Sequence, residues 1–534
     1  MRVEGREFAP PGSSSLEGLN PNIAARLQDR AREQGDWPAL VERRSRRVTF
    51  GELAERVARM AGSLERKGVK PGQRVLIFVP MSIDLYAALL ATCHLGCTAV
   101  FVDAWADKAR LEAALEMAMP DAFLGIPKAH LLRFFSPRLR GCPVQLMVGG
   151  PFGKWEQAGP SRPVAQMSVE SPALVTFTTG TTGRPKAALR THGFLWAQHR
   201  ALTAHMKLRD VDVDLPTLPI FVLNNLASGI TSVLPDFDPR RPADIDPERV
   251  YRQILSERVT TSSGSPAFYS KLCAWCRERG LHLPLRAVFT GGAPVLPPQA
   301  RELQESIEGK LHVVYGSTEA EPIAGLDAEE LLEASASGKE GLCVGTPVPQ
   351  LELKLLRPWD GPIELDYRGL DYWEAAHGEV GEVAVAGRHV LTGYLDDPES
   401  DRRGKIRQGD RIWHRTGDAA RKDRQGRLWL MGRVSERVQR EEKVEWSMPA
   451  QIRALRVEPV RHAAYFGMPD PLLGNRAVLC VEAPRPWSDD LSRRVRAALH
   501  PVPVDELHVV EHIPRDPRHA SKTDLAALKR ELYG

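Results

Sequence analysis

Long hydrophobic runs are missing: nowhere in the 534 residues is there anything close to the ~20 consecutive apolar residues of a bilayer-spanning helix. The N-terminus also lacks the basic, apolar, small-residue order of a secretion signal, so a cytoplasmic chain with no transmembrane segment is expected. Cysteine is scarce. Seven residues, an odd number scattered from Cys93 to Cys480, make no disulfide framework in a chain this long and read as buried thiols. Cys273 and Cys276 have the spacing of a metal or redox pair, but they sit in a helix-like stretch, Phe268 to Arg279, with no second pair nearby. Charge of one sign is also lacking. The net +4 comes from 72 basic and 68 acidic residues, which leaves no footprint for nucleic acid, and the Arg43 to Arg47 cluster reads as a solvated face.

Hydrophobic residues make up 43% and charged residues 26%, the usage of an ordered globular protein. The length exceeds one ordinary core and predicts a large lobe with a smaller one attached. Residues 1–22 open on a Gly-, Pro- and Ser-rich arm, and order is expected from Ile23. Short β-branched runs then alternate with helical patterns: Arg74 to Val79 and Thr98 to Val102 as strands, Ser82 to Leu95 as a helix. Such alternation predicts a wound α/β sheet. Ala173 to Phe177, Ala287 to Thr290 and Leu311 to Tyr315 each run from an apolar strand into a Gly- or Thr-rich turn, the end of an open sheet where ligands gather. Leu326 to Gly341 reads as a short helix and mobile loop, either a lid or a surface excursion. After Gly432 about a hundred residues remain, with strands near Ala463 to Phe466, Ala477 to Val481 and Glu506 to Val510 and helices near Leu491 to Leu499 and Leu525 to Leu532. The fold class expected is therefore α/β, a large multi-sheet N-terminal domain (23–433) with a small α+β C-terminal domain (434–534).

Thr176-Phe-Thr-Thr-Gly-Thr-Thr-Gly-Arg-Pro-Lys186 is a strand opening into a loop of hydroxyls and glycines that ends in a lysine. Gly180 and Gly183 let backbone amides approach a polyphosphate, Thr178, Thr179, Thr181 and Thr182 offer hydroxyls, and Lys186 supplies a cation. It is not the usual NTPase loop, because Pro185 precedes Lys186 and Ala187 follows it. Tyr315-Gly-Ser-Thr-Glu319 adds an aromatic face, a hydroxyl and a carboxylate after an apolar strand. Trp413-His-Arg-Thr-Gly-Asp418 places a carboxylate at a turn, and Gly426-Arg-Leu-Trp-Leu-Met-Gly-Arg433 ends a strand with a second cation.

At these residues the chain resembles the adenylate-forming superfamily of acyl-CoA ligases, firefly luciferase and peptide-synthetase adenylation domains, over nearly the whole length from Ile23. The resemblance implies that Thr178 to Lys186 hold the β- and γ-phosphates of ATP and that Tyr315, beside Gly316, stacks on adenine. It implies that Thr318 touches the α-phosphate, Glu319 holds Mg²⁺, and Asp418 binds the ribose hydroxyls with Arg433 close by. Asp516-Pro-Arg-His-Ala-Ser-Lys522 stands where the family has its catalytic lysine, with Ser521 in place of a glycine. Lys522 would bridge the substrate carboxylate and the α-phosphate, and the mobile small domain carrying it would swing about a hinge near Ser435-Glu436.

The chain departs from the acyl-CoA ligases at the loop after that hinge, Val438-Gln-Arg-Glu-Glu442-Lys-Val444. Glu442 takes the position of the family's pantetheine-passing glycine. Pro185-Lys-Ala-Ala188 and Phe221-Val-Leu-Asn224 replace other family patterns, so the acyl pocket is rebuilt. With Gly125-Ile-Pro-Lys-Ala-His130, Pro235-Asp-Phe-Asp-Pro239, Gly345-Thr-Pro-Val-Pro349 and Asp516-Pro-Arg-His519, these segments resemble the β-lactone synthetases of bacterial long-chain olefin biosynthesis. That implies a 2-alkyl-3-hydroxy fatty acid substrate whose adenylate closes to a β-lactone, and a complex with a thiolase-like condensing enzyme, a reductase and a lactone decarboxylase. Phe221, Asn224, Gly264, Gly291, Gly292 and Ala293 are expected to line the acyl site. A CoA ligase and a non-catalytic nucleotide-binding scaffold are the alternatives.

Overall fold

The alternating runs build their sheet close to where the sequence puts them. The computed structural model describes residues 20–42, 46–102, 108–149, 155–156, 158–179, 185–237, 244–440, 443–516 and 522–534. Helices α1 (Ile23–Gln34), α2 (Ile83–His94), α3 (His192–Met206) and α4 (Pro219–Ser228) belong to the N-terminal half. Strands β1 (Arg74–Phe78), β2 (Thr98–Phe101), β3 (Ala122–Gly125), β4 (Val144–Met147) and β5 (Pro172–Thr179) run parallel, and β6 (Pro185–Thr191) folds back antiparallel on β5. Their spatial order is β4-β3-β1-β2-β5-β6. α2 is apolar nearly all round and buried along its length, as a helix between packed layers should be. The Ser82 hydroxyl caps it, accepting from the Leu85 amide at 3.2 Å.

The second sheet has 14 strands among the described residues. It holds the parallel strands β7 (Thr261–Gly264), β8 (Ala287–Gly291) and β9 (Lys310–Ser317), then antiparallel β10 (Ala320–Asp327). Further antiparallel strands include β11 (Arg411–Lys422) and β12 (Leu428–Arg433). A purely wound reading misses this half, because antiparallel neighbours are joined by hairpins and need no crossover helix. The Leu326 to Gly341 segment is mostly a packed helix, Ala328–Ala336, fastened by a reciprocal cap between Asp327 and Glu330 and burying Leu331 and Ala334. Cys273 and Cys276 lie in the core on the helix Pro266–Arg277 as free thiols, pushed up by burial to about 12 and about 11.

Beyond β12, strands β13 (His462–Asp470), β14 (Gly474–Glu482) and β15 (Glu506–Val510) form a separate three-stranded sheet. One face packs with the helices Ser447–Ala454 and Asp489–Leu499 around a core that includes Tyr465, Leu479 and Val495, and the alternate residues Phe466, Val478 and Cys480 pack with Leu528 of the helix Leu525–Tyr533. The architecture is thus mixed α/β, a large multi-sheet body joined to a small α+β unit. No described helix is long and apolar enough to cross a membrane.

Candidate active site

The carboxyl ends of β7, β8 and β9 meet at one sheet edge, where Gly264 is level with Thr290 and Gly291 with Val314. Tyr315 follows on β9. Its hydroxyl donates to Asp418 Oδ2 at 2.8 Å, while Arg433 Nη1 donates to Asp418 Oδ1 at 2.7 Å. Asp418 and Arg433 face each other across the β11/β12 ladder, and Gly417 makes that approach possible. Its φ is +73°, and a Cβ there would stand 3.1 Å from Arg433 Nη2. Asp418 raises the Arg433 pKa still further, and burial followed by the same carboxylate raises that of the Tyr315 phenol. An aromatic face, a carboxylate and a guanidinium are thereby held as one unit.

Thr318 and Glu319 are the two turn residues between β9 and β10, where Ser317 pairs with Ala320. The segment Val390–Tyr394 stitches the two sheets together there: Ala320 bridges Val390 and Ala188 bridges Tyr394. The Leu391 amide donates to the Glu319 carbonyl at 2.7 Å, and the Tyr394 hydroxyl donates to Glu319 Oε1 at 2.8 Å. Lys186 Nζ stands 5.1 Å from the centroid of the Tyr394 ring. Burial opposes ionisation of Glu319, but His414, the Tyr394 hydroxyl and Lys405 outweigh it and hold the carboxyl below its usual range. His414 is itself pushed down by burial and by Lys405, so the lysine is the standing cation. Burial lowers Lys405 to about 8 against the pull of Glu319 and Asp401, and its ammonium donates to the Leu391 carbonyl. Arg190 Nη2 donates to the Thr318 carbonyl at 3.0 Å, fixing the turn from behind.

Tyr394, Lys405, His414 and Arg190 were not singled out from the sequence. Trp413-His-Arg-Thr-Gly-Asp418 contains one of them, and a buried lysine at the start of a short strand, Lys405–Gln408, leaves no local mark. Thr178 is buried opposite Lys186 in the β5/β6 ladder and Thr179 ends β5, whereas Gly180, Thr181, Thr182 and Gly183 lie outside the described residues, as does Glu442. Lys522 is exposed beyond β15, with its backbone NH donating to Asp516 Oδ1 at 3.2 Å. The polar partners described for Glu319 and Asp418 belong to the large body.

A cavity of about 50 Å³ opens between α1, α2, α3 and α4, lined by Leu27, Leu90, Leu202, Ile220 and Leu223 and by the polar side chains of Gln198, His199 and Asn224. His199 Nδ1 and Asn224 Oδ1 are 2.9 Å apart. Among the described residues, neither amide atom of Gln198 nor the Asn224 Nδ2 has a hydrogen-bond partner. Phe221 does not line this cavity and packs with Met206, Leu208 and Phe289, the cluster that Leu202 connects to the cavity wall. Gly292 has φ +81° with nothing within 4 Å of an added Cβ, whereas a Cβ on Gly291 would stand 2.5 Å from the Val314 carbonyl oxygen, so the space at the strand end is open beside Gly292 alone of the two.

Residues 27–395 match the model of the AMP-binding enzymes. The chain belongs to that family. It is 32% identical over 550 residues, 94% of this chain and 96% of the other, to an olefin beta-lactone synthetase of Stenotrophomonas maltophilia (strain K279a). A feruloyl-CoA synthase of an Amycolatopsis species is 26% identical over 91% of this chain and 94% of its own. The solved structure of the amide bond synthetase McbA from Marinactinospora thermotolerans superposes with a TM-score of 0.79 at 25% identity, covering 96% of this chain and 100% of that one. The protein is an adenylate-forming ligase.

The family implies a divalent cation at such a site. Mg²⁺ is usually held by one or two carboxylates together with substrate phosphates. Glu319, kept ionised with Oε1 fixed by Tyr394, offers one such carboxylate, so the residues present fit that mode of binding.

Proposed function

We propose that this ligase adenylates a long-chain carboxylic acid at the expense of ATP with Mg²⁺, and that a 2-alkyl-3-hydroxy acid then closes to a β-lactone. In the first step a carboxylate oxygen attacks the α-phosphorus and the bond to pyrophosphate breaks. In the second, the substrate's own 3-hydroxyl oxygen attacks the activated carbonyl, the bond to AMP breaks and the hydroxyl proton is lost. The observation that carries the adenylation reading is the convergence of Tyr315, Asp418 and Arg433 at one sheet edge with Glu319, Tyr394 and Lys186 beside it.

On this reading Tyr315 presents its ring to adenine, and Gly316 keeps the strand close to the turn. Asp418 accepts from the ribose hydroxyls, with Arg433 holding it in place. Thr178 to Lys186 wrap the outer phosphates, and Thr318 faces the α-phosphate. Glu319 holds Mg²⁺, which supplies Lewis-acid stabilisation of the charge that builds on the phosphates. Lys522 bridges carboxylate and α-phosphate when the small domain, residues 434–534, closes on the large one, residues 23–433, behind the arm 1–22. The hinge is the turn Val434–Glu436, after which Arg437 pairs with Asp360 at 2.6 Å. The residues this reading assigns to the acyl chain are Phe221, Asn224, Gly264, Gly291, Gly292 and Ala293, of which Asn224 lines the cavity between the helices and Phe221 packs outside it.

Closure to a lactone is supported by the likeness to an olefin beta-lactone synthetase along almost the full chain and by Glu442 in the position of the pantetheine glycine. Hydroxyl and activated carbonyl in one molecule have the proximity advantage that a separate thiol must obtain by binding. Olefin-pathway enzymes are the partners this reading implies. The test incubates enzyme, ATP, Mg²⁺ and hydroxy acid with and without CoA, with products identified by mass and NMR. Lactone in both tubes is expected; a CoA thioester without lactone would overturn the reading in favour of a CoA ligase.

A further inference from the structure

Between Ala122 and Trp155 the chain carries no acidic residue and five basic ones: Lys128, Arg133, Arg138, Arg140 and Lys154. The middle of this stretch folds as three successive helical turns, Pro127–His130, Leu131–Phe134 and Pro137–Arg140. Their inner side is firmly seated. His130 Nε2 lies 3.1 Å from the Leu146 carbonyl and its ring packs 4.7 Å from Phe123, while Leu139 is buried under a Ser136 cap. Their outer side presents Leu131, Phe134 and Phe135, which are 58%, 73% and 66% exposed. Two adjacent phenylalanines this open on a rigid turn cannot fold back into the core, and water contact for that much apolar surface is unfavourable.

Basic residues precede and follow the apolar tip on the same turns. Lys128, Arg138 and Arg140 are exposed, and Arg133 Nη1 donates to Gln145 Oε1 at 2.7 Å. The facing acids are Glu112 and Glu116, 3.9 and 3.5 Å from Arg138, which leaves the turns net positive. An aromatic tip on cationic turns matches an anionic bilayer surface, where the rings enter the acyl boundary and the cations meet phosphate headgroups. The location is also telling. The turns leave the carboxyl end of β3, and β5 ends at the same edge of the sheet before the phosphate-binding loop, about 14 Å across the β3-β1-β2-β5 ladder at ordinary strand spacing.

We propose that residues 127–140 dock this enzyme peripherally on anionic membrane, with Phe134 and Phe135 as the inserted pair and Lys128, Arg138 and Arg140 as the headgroup contacts. The docking holds the acid-activating edge of the sheet near the surface into which a long-chain acid would partition. The surface itself is inferred independently of that reaction.

The test floats the full-length protein with vesicles of phosphatidylcholine alone or with roughly a quarter phosphatidylglycerol. Capture by the anionic vesicles is expected, weakened about tenfold by Phe134→Ser/Phe135→Ser and, separately, by Arg138→Glu/Arg140→Glu, with melting temperatures unchanged. Chloride and phosphate at equal ionic strength should displace the protein equally. No capture by anionic vesicles, undiminished capture of folded variants, or selective displacement by phosphate would each overturn the proposal. So would finding that the substitutions abolish only self-association of the protein. Vesicle capture is read without turnover, so failure of the lactone reading leaves this result standing; exchange with a water-soluble acid should be equal in parent and variants.

Discussion

A single carboxylate, Asp418, joins β9 to the β11/β12 ladder, because Tyr315 and Arg433 each use a different oxygen of it. Asp418→Ala is therefore expected to weaken ATP by roughly ten- to a hundredfold, in line with the 1.5–3 kcal/mol of a charge-assisted hydrogen bond, and to leave the acid's affinity unchanged. Calorimetric titration checks this, and equal ATP affinity in parent and variant would remove the ribose role. Lys522 belongs to the same scale with a different function. Its expected contribution is to the transition state, so Lys522→Ala should slow pyrophosphate exchange into ATP about a thousandfold, or about 4 kcal/mol. An unchanged exchange rate would take Lys522 out of the reaction. Both residues stand out in the sequence because each lies in a short motif that resembles the family's pattern. Tyr394 and Lys405 are not, since they act on Glu319 only after the segment Val390–Tyr394 has bridged the sheets.

Helix α3 shows how far an element can be read before its neighbours are known. Its apolar content predicts burial, and it is buried along most of its length. The placement of Gln198 toward the cavity is a different matter, because it depends on α1, α2 and α4 closing around it. A buried amide with neither atom partnered costs about 1–3 kcal/mol. Gln198→Met should accordingly raise the thermal midpoint, measured by calorimetry without substrate, and a fall would mean that water or another group satisfies the amide in solution. If the substrate chain presents a polar group to Gln198, the same variant will lose affinity for that acid while gaining stability, and the two readouts together separate packing from recognition.

Over the whole molecule, buried histidines couple stability to pH. His192, His199, His205 and His462 are each lowered by burial to about 4, from an ordinary value near 6.5. The unfolded chain binds their protons between those values and the folded chain does not. Stability therefore falls as pH drops from about 6.5 toward 4, by up to ~1.4 kcal/mol per pH unit for each histidine, and levels off below. Glu321 works the other way, since burial raises it to about 7 and its ionisation costs stability as pH rises from its ordinary value toward that point. His94, His130, His312, His389 and His414 are lowered by burial in the same way, and Asp214, Glu382, Asp401 and Glu436 are raised like Glu321, so the more numerous histidines make the net slope positive with pH across the acid range. Chemical denaturation at a series of pH values checks it, and His462→Gln should flatten the curve by one proton.

The sequence by itself determined the superfamily, the wound first sheet, the small α+β unit at the C-terminus and the motifs carrying Lys186, Glu319, Asp418 and Arg433. These signals are local: each needs only an apolar run, a turn residue and a reactive side chain within a few positions, repeated in a set order. Tertiary structure alone decided that Tyr394 and Lys405 stand beside Glu319, that Phe221 packs away from the cavity while Asn224 lines it, and that Phe134 and Phe135 remain outside any core. Each of these depends on segments tens to hundreds of residues apart being brought together or held apart. Local periodicity carries no record of such packing, because the same alternation of residues suits a covered face and an open one until the neighbouring elements arrive.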